Sequence, residues 1–171
     1  MTAMQRDEVL ETMFREKHDG ELEPRADVRV WLRMLSCTIV IEKRLRRRFI
    51  EQFETTLPRF DVMAALERHA DGMTMGELSN ALLVSNGNVT AIVRQLERDG
   101  YAVSRPAPGD RRSSIVALTS RGRTDFAVLA EAHHEWIKQM LAGMSSVDKA
   151  ALHDLLQSLK SSIASDKGSA K

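Results

Sequence analysis

The hydrophobic period changes in the middle of this chain, and few folds accommodate the order found on either side. Before Gly100, apolar residues recur at helical spacing, with Val89, Ile92, Val93 and Leu96 on one side of a segment from Asn88 to Asp99. After it the period falls to two. Tyr101 to Arg105 and Ser113 to Leu118 read as strands, with Ile115 and Ala117 facing inward. The intervening Pro106-Ala107-Pro108-Gly109-Asp110-Arg111-Arg112 has turn chemistry, so the two strands form a β-hairpin with a basic tip. Gly100 suits the left-handed residue that closes a helix.

The segments upstream read as helices. Thr74 followed by Glu77 is a capping-box pattern, predicting a short helix from Met75 to Leu82 after a short strand at Met73 to Met75. Val84-Ser85-Asn86-Gly87 reads as a tight turn. Phe60 to His69 is a further helix, behind the breaker Thr55-Thr56-Leu57-Pro58. Asp27 is the expected N-cap of a long helix over residues 27–54, with Val28, Leu32, Leu35 and Ile39 in phase. Thr119 caps another long helix reaching about Leu141, with Phe126, Leu129, His133, Trp136 and Met140 along one face. Gly143 ends it, and Ser145 or Ser146 opens a last helix carrying Leu152, Leu155, Leu156, Leu159 and Ile163. The expected class is mainly α with a small β-hairpin.

Composition narrows the function classes. A length of 171 residues suggests one domain with extensions. No apolar run approaches the roughly 18 residues of a membrane helix. Met1 to Glu11 has no apolar core of a secretory signal, so a cytoplasmic protein without a membrane partner is expected. Cys37 is the only cysteine, which excludes an intramolecular disulfide and argues against a cysteine zinc site. The net charge of +1 says nothing of partners, but its distribution does. Residues 86–123 hold seven arginines against three acids, whereas residues 1–29 hold five bases against eight acids.

A short helix, a tight turn, a second helix and a basic hairpin follow the order of a winged helix-turn-helix. In such modules the second helix presents its N-terminal residues to base edges in the major groove. Here these are Ser85, Asn86, Gly87, Asn88 and Thr90, with Arg94 a turn further on. Asparagine pairs with adenine, arginine with guanine or phosphate, and hydroxyls with phosphate. Gly87 lets the backbone come close. Arg111 and Arg112 at the hairpin tip reach towards the adjacent minor groove.

The same residues carry a family resemblance. Thr74-Met75-Gly76-Glu77-Leu78-Ser79, Asn88-Val89-Thr90 and Leu96-Glu97-Arg98-Asp99-Gly100-Tyr101 resemble the DNA-binding core of the multiple antibiotic resistance regulator (MarR) family. Asp110-Arg111-Arg112-Ser113-Ser114-Ile115-Val116-Ala117-Leu118-Thr119, then Gly122, is similar to its wing signature and is the most specific match. The resemblance covers about residues 26–164. It implies a homodimer built from the first, fifth and sixth helices, binding pseudo-palindromic double-stranded DNA as a repressor. It further implies that Asp110 supports the wing by pairing with an arginine, and that Arg112 or Arg111 contacts DNA. Ala91 and Arg94 depart from the common family pattern, so sequence preference does not transfer from a relative. The expected organisation is an N-terminal extension (1–25), a helical dimerisation region (26–56 and 120–164), a winged helix-turn-helix (57–119) and a polar tail (165–171).

The resemblance also implies a small-molecule effector held between the dimer helices and the DNA-binding lobe. Candidate lining residues are Trp31, Arg33, Met34, Leu35 and Thr38 on the first helix, and Arg59, Phe60, Met63 and His69 on or beside the second. Trp31 offers a stacking surface, and Arg33 or Arg59 a partner for carboxylate or phosphate. A phenolic acid or its aryl-CoA thioester is the expected effector class, with no cofactor. The same Met and Trp residues also fit plain core or dimer interface. Cys37 offers an alternative, a thiol-based redox-sensing regulator, although a buried cysteine is the commoner case. Lys43-Arg44-Leu45-Arg46-Arg47-Arg48 reads as a solvated helix face paired with Glu42, Glu51 and Glu54. An enzyme is not expected. His133-His134-Glu135 lacks the spacing of a helical zinc site, and no phosphate loop or nucleophile elbow is present. His133 reads as a packed histidine. The alternative of another class is a helical dimeric interaction protein without specific DNA binding.

Overall fold

Phe60 sits where three helices meet, and the ring cluster around it organises the core. In the computed structural model, which describes residues 25–107 and 110–165 with the side chains of 110–112 left aside, α1 is Ala26–Phe53, α2 is Leu57–Glu67 and α5 is Ser120–Met140. The Phe60 ring lies 4.9 Å from Phe49 of α1, 5.6 Å from Phe126 of α5 and 4.8 Å from His133. His133 is therefore the packed histidine expected from its apolar face.

Between α2 and α5 run β1 (Met73–Thr74), α3 (Met75–Leu82), α4 (Asn86–Arg98), β2 (Ala102–Ala107) and β3 (Asp110–Leu118), and α6 (Ser146–Ser165) follows α5. The strands form an antiparallel sheet in the order β1-β3-β2. Met73 pairs with Val116, and Ala102 with Leu118. The described residues fall into two compact units, one ending at His133 and the other starting at His134. The first holds the sheet and the core of Val62, Leu66, Leu78, Val89, Val93, Leu96 and Val116, all fully buried. The second holds the end of α5 and all of α6, in which no residue is buried.

Caps explain several boundaries. The Thr74 hydroxyl accepts from the Glu77 amide, and Glu77 accepts from the Thr74 amide at 2.7 Å, so the capping box forms as expected. Gly100 has φ +76; its amide donates to Glu97 and that of Tyr101 to Leu96, a Schellman closure of α4. Thr119 Oγ1 accepts from the Gly122 amide at the start of α5. Ser145 and Asp148 exchange reciprocal hydrogen bonds at the start of α6.

Other boundaries differ from expectation. Asp27 is not the N-cap; Arg25 holds that position without a side-chain cap, and Asp27 lies in the first turn, where its charge suits the helix dipole. Helix α2 starts at Leu57 because Thr56 caps it and Pro58 is tolerated in a first turn, so this proline opens the helix, while α1 is ended by the left-handed Glu54. Asn86 and Gly87 belong to α4 and not to a turn, because Leu83 takes the left-handed residue with φ 54. The strands run closer to the wing tip than the loop reading of 106–112, with a register shift between Pro106 and Ala107. Pro106 is accommodated because β2 is an edge strand. In β3 it is Val116 and Leu118 that face the core, while Ile115 and Ala117 are half-buried, since one register step exchanges the faces. The expected extension over 1–25, apart from its last residue, and the tail after Ser165 lie outside the described residues.

Candidate nucleic-acid interface

Helix α4 has one anchored face and one open face. Val89, Val93 and Leu96 are fully buried, which at roughly 1.5–3 kcal/mol for each large apolar side chain fixes the helix rotation. That rotation leaves Asn86, Gly87, Asn88, Ala91, Arg94 and Gln95 exposed. Gln95 was not singled out from the sequence; its spacing of seven from Asn88 was the signal that places it on this face. Thr90 is half-buried, and its hydroxyl donates to the Asn86 carbonyl at 2.8 Å.

The N-terminal turn of α4 keeps its donors open. Ser85 is extended, and its side chain makes no cap hydrogen bond. Its carbonyl accepts from the amides of Asn88 and Val89. The amides of Asn86 and Gly87, ahead of these two, have no intrahelical acceptor, the feature that lets a helix N-terminus bind phosphate oxygens. A Cβ built on Gly87 would meet nothing within 4 Å, so the fold does not require glycine there.

The wing follows this helix in the chain. Arg105 on β2 donates to the Asp71 carbonyl at 2.8 Å, tying the wing base to the turn before β1. The backbone of Asp110, Arg111 and Arg112 begins β3 at the tip-proximal end. Their side chains lie outside the described residues, so the expected Asp110 pairing and arginine contacts carry forward as proposals.

The expected effector residues are distributed over several environments. Trp31, Arg33 and Thr38 are exposed on α1, with Met34 and Leu35 half-buried. Trp31 and Arg33 are two residues apart, about 200° around the helix, so they do not face one ligand within a protomer. Phe60 and Met63 are core residues, and His69 is exposed, its Nδ1 2.9 Å from the Ala65 carbonyl. Arg59 donates to Asp99 at 2.6 Å. A cavity of about 430 Å³ opens beside that pair, with Arg59 and Met63 in its wall. Its other walls are Phe53, Glu54 and Thr55 at the end of α1, Asp99 and Tyr101 after α4, and Asp125, Val128 and Leu129 on α5. Cys37 is exposed, against the commoner buried case. In the basic stretch of α1, Arg46 pairs with Glu42, and Arg47 with Glu51 at 3.9 Å. Among the described residues no group of His, Cys, Asp and Glu is placed to hold a metal ion, and no helix is long and apolar enough to cross a membrane.

A buried-backed recognition helix with open N-terminal donors, followed by a three-stranded wing, defines a winged helix-turn-helix DNA-binding protein. Comparison with known proteins gives the family. The MarR family model matches residues 54–113. The chain is 33% identical over 146 residues to the transcriptional activatory protein BadR of Rhodopseudomonas palustris, covering 83% of each chain. It is 26% identical to the regulator PecS of Dickeya dadantii, covering 87% of this chain and 89% of that one. A crystal structure of a MarR family transcriptional regulator from Silicibacter pomeroyi superposes with a TM-score of 0.70 at 32% identity, covering 81% of this chain and 96% of that one. The chain belongs to the MarR family of transcriptional regulators, and it is a regulator and not an enzyme.

Proposed function

We propose that the chain acts as a homodimer that binds a pseudo-palindromic operator and is released by a small-molecule effector. The observation that carries this is the open N-terminal turn of α4, with Ser85, Asn86, Gly87 and Asn88 exposed ahead of a fully buried Val89. Ser85 and the first amides hold phosphate, Asn86, Asn88 and Arg94 read bases, Thr90 supports the turn, and Arg111 and Arg112 enter the minor groove with Asp110 bracing the wing. Exposed apolar side chains in both units support the dimer. Val28, Val30, Trp31 and Ile39 on α1 are about half exposed, and Val147, Leu155 and Ile163 on α6 more so. Two-fold symmetry then sets two half-sites about one helical turn of DNA apart.

Repression follows where the operator overlaps the promoter, because the bound dimer excludes polymerase. The R. palustris relative is described as an activatory protein, and an operator placed upstream gives that sign. The effector expected from the sequence, a small aromatic acid or its CoA thioester, is supported by the Arg59 guanidinium in the cavity wall, whereas Trp31 is exposed on α1 and is not part of that wall. A redox role for Cys37 is supported only by its exposure; operator affinity unchanged by peroxide retires it.

The test is selection of genomic fragments by the purified protein at two salt concentrations. Enrichment of an inverted repeat is expected, with affinity falling steeply as salt rises. Salt-labile binding without an enriched sequence overturns the reading and favours the interaction-protein alternative.

A further inference from the structure

The open face of α4 carries an uncharged row. Asn88, Ala91 and Gln95 are spaced three and four residues apart, so they lie within about 60° of one another around the helix. All three are exposed. Arg94 is about 60° further round, beyond Ala91. Neither the Asn88 nor the Gln95 side-chain amide is engaged by another described residue. The Thr90 hydroxyl, by contrast, already donates to the Asn86 carbonyl.

The far end of the row is as firmly placed as the near end. Val89 beside Asn88 and Leu96 beside Gln95 are both fully buried. The Arg59–Asp99 pair and the closure at Gly100 hold the last turn of the helix. A side chain on a backbone fixed in this way is preorganised to read a base edge.

The order amide, methyl, amide has a definite complement in the major groove. Asparagine and glutamine pair bidentately with adenine N6 and N7, and an alanine methyl packs on the thymine C5-methyl. From Asn88 to Gln95 the helix rises about 10 Å, which matches about three base-pair steps.

We propose that Ala91 and Gln95 determine sequence preference together with Asn88, reading adenine at the two ends of the row and a thymine methyl between them. The half-site is then A·T-rich over about four base pairs. The proposal rests on the reading of α4 as the helix that enters the major groove.

The test uses the purified full chain and a half-site selected from random duplexes. Thymines of the selected site are replaced singly by uracil, which removes the C5-methyl and keeps the pairing. Adenines are replaced singly by 7-deazaadenine, which removes the N7 acceptor. One uracil is expected to weaken the wild type about fivefold and to make no difference to Ala91→Gly. One 7-deazaadenine is expected to weaken the wild type about tenfold and to make no difference to Gln95→Ala. Gln95→Ala should also lose more on the selected site than on random duplex. The base analogues act on the wild-type protein, so the test stands even where Ala91→Gly loosens the helix. A selected half-site without A·T pairs, uracil throughout without loss, or 7-deazaadenine losses undiminished in Gln95→Ala overturns the proposal and leaves the regulator reading in place. Failure to enrich any repeat overturns both.

Discussion

Arg59 Nη2 lies 2.6 Å from Asp99 Oδ2, so the first turn of α2 grips the C-cap of the recognition helix across forty residues of sequence. The arginine side chain is 18% exposed and the aspartate 44%, so solvent screens the pair only in part. Its coupling should be about 1 kcal/mol, near the upper end for surface pairs. Arg59→Met and Asp99→Asn are expected to weaken operator binding by about fivefold each, and a double-mutant cycle should recover that coupling. Additive losses in the cycle would mean that the two side chains do not act through each other.

The α5 start is held by a contact that tolerates no side chain. A Cβ on Gly122 would lie 2.0 Å from the Tyr101 carbonyl oxygen, a backbone atom that cannot swing away. Gly122→Ala is therefore expected to destabilise the fold by about 3 kcal/mol in urea unfolding. A variant as stable as wild type would show that α5 starts elsewhere.

How much of this was legible in the sequence depended on the range of the interaction. The capping box at Thr74 and Glu77, the Schellman closure at Gly100 and the Thr119 cap are local devices, and their residues announce them. The start of α4 was hidden because Asn86-Gly87 is turn chemistry, whereas the chain reverses one step earlier at Leu83, a residue with no turn signal. The inward set of β3 needed a register that only the partner strands β1 and β2 supply. The cavity was the least legible part. Glu54, Arg59, Asp99 and Asp125 come from four separate segments, and nothing in their local sequence marks them as neighbours.

Gly87 separates stability from DNA binding. Its position has open space around it, and Gly72 and Gly100, not Gly87, hold positive φ. Gly87→Ala should keep or raise stability, by up to about 1 kcal/mol from helix propensity. Operator affinity should fall about tenfold as the methyl group blocks close approach to the phosphate backbone. Equal affinity for both proteins would remove Gly87 from the interface.

Arg112→Ala should weaken binding to cognate and random DNA alike, because a wing contact to phosphate or to the minor groove carries little sequence information. The slope of log affinity against log salt should drop by about one phosphate equivalent, with the dimer intact by light scattering. By contrast, Asn88→Ala should lose more on the cognate site than on random DNA, as a base contact does. Unchanged affinity for Arg112→Ala at matched salt would sink the wing assignment.

Asp61 gives the fold a pH dependence of known sign. Burial pushes its carboxyl above the ordinary value of 3.8, Arg46 pulls it down, and Glu42 pushes it up. A carboxyl raised in the folded state favours folding where it is protonated, and that contribution is lost as pH rises through the raised value. At neutral pH Asp61 is therefore a charged, half-buried group that weakens the fold. Asp61→Asn is expected to raise the melting temperature at pH 7. The gain should shrink as pH falls through the raised value and vanish below 3.8, where both folded and unfolded wild type are protonated. The Glu42–Arg46 pair persists in the variant, so a gain that is flat across this range would assign the effect to packing and not to the Asp61 charge.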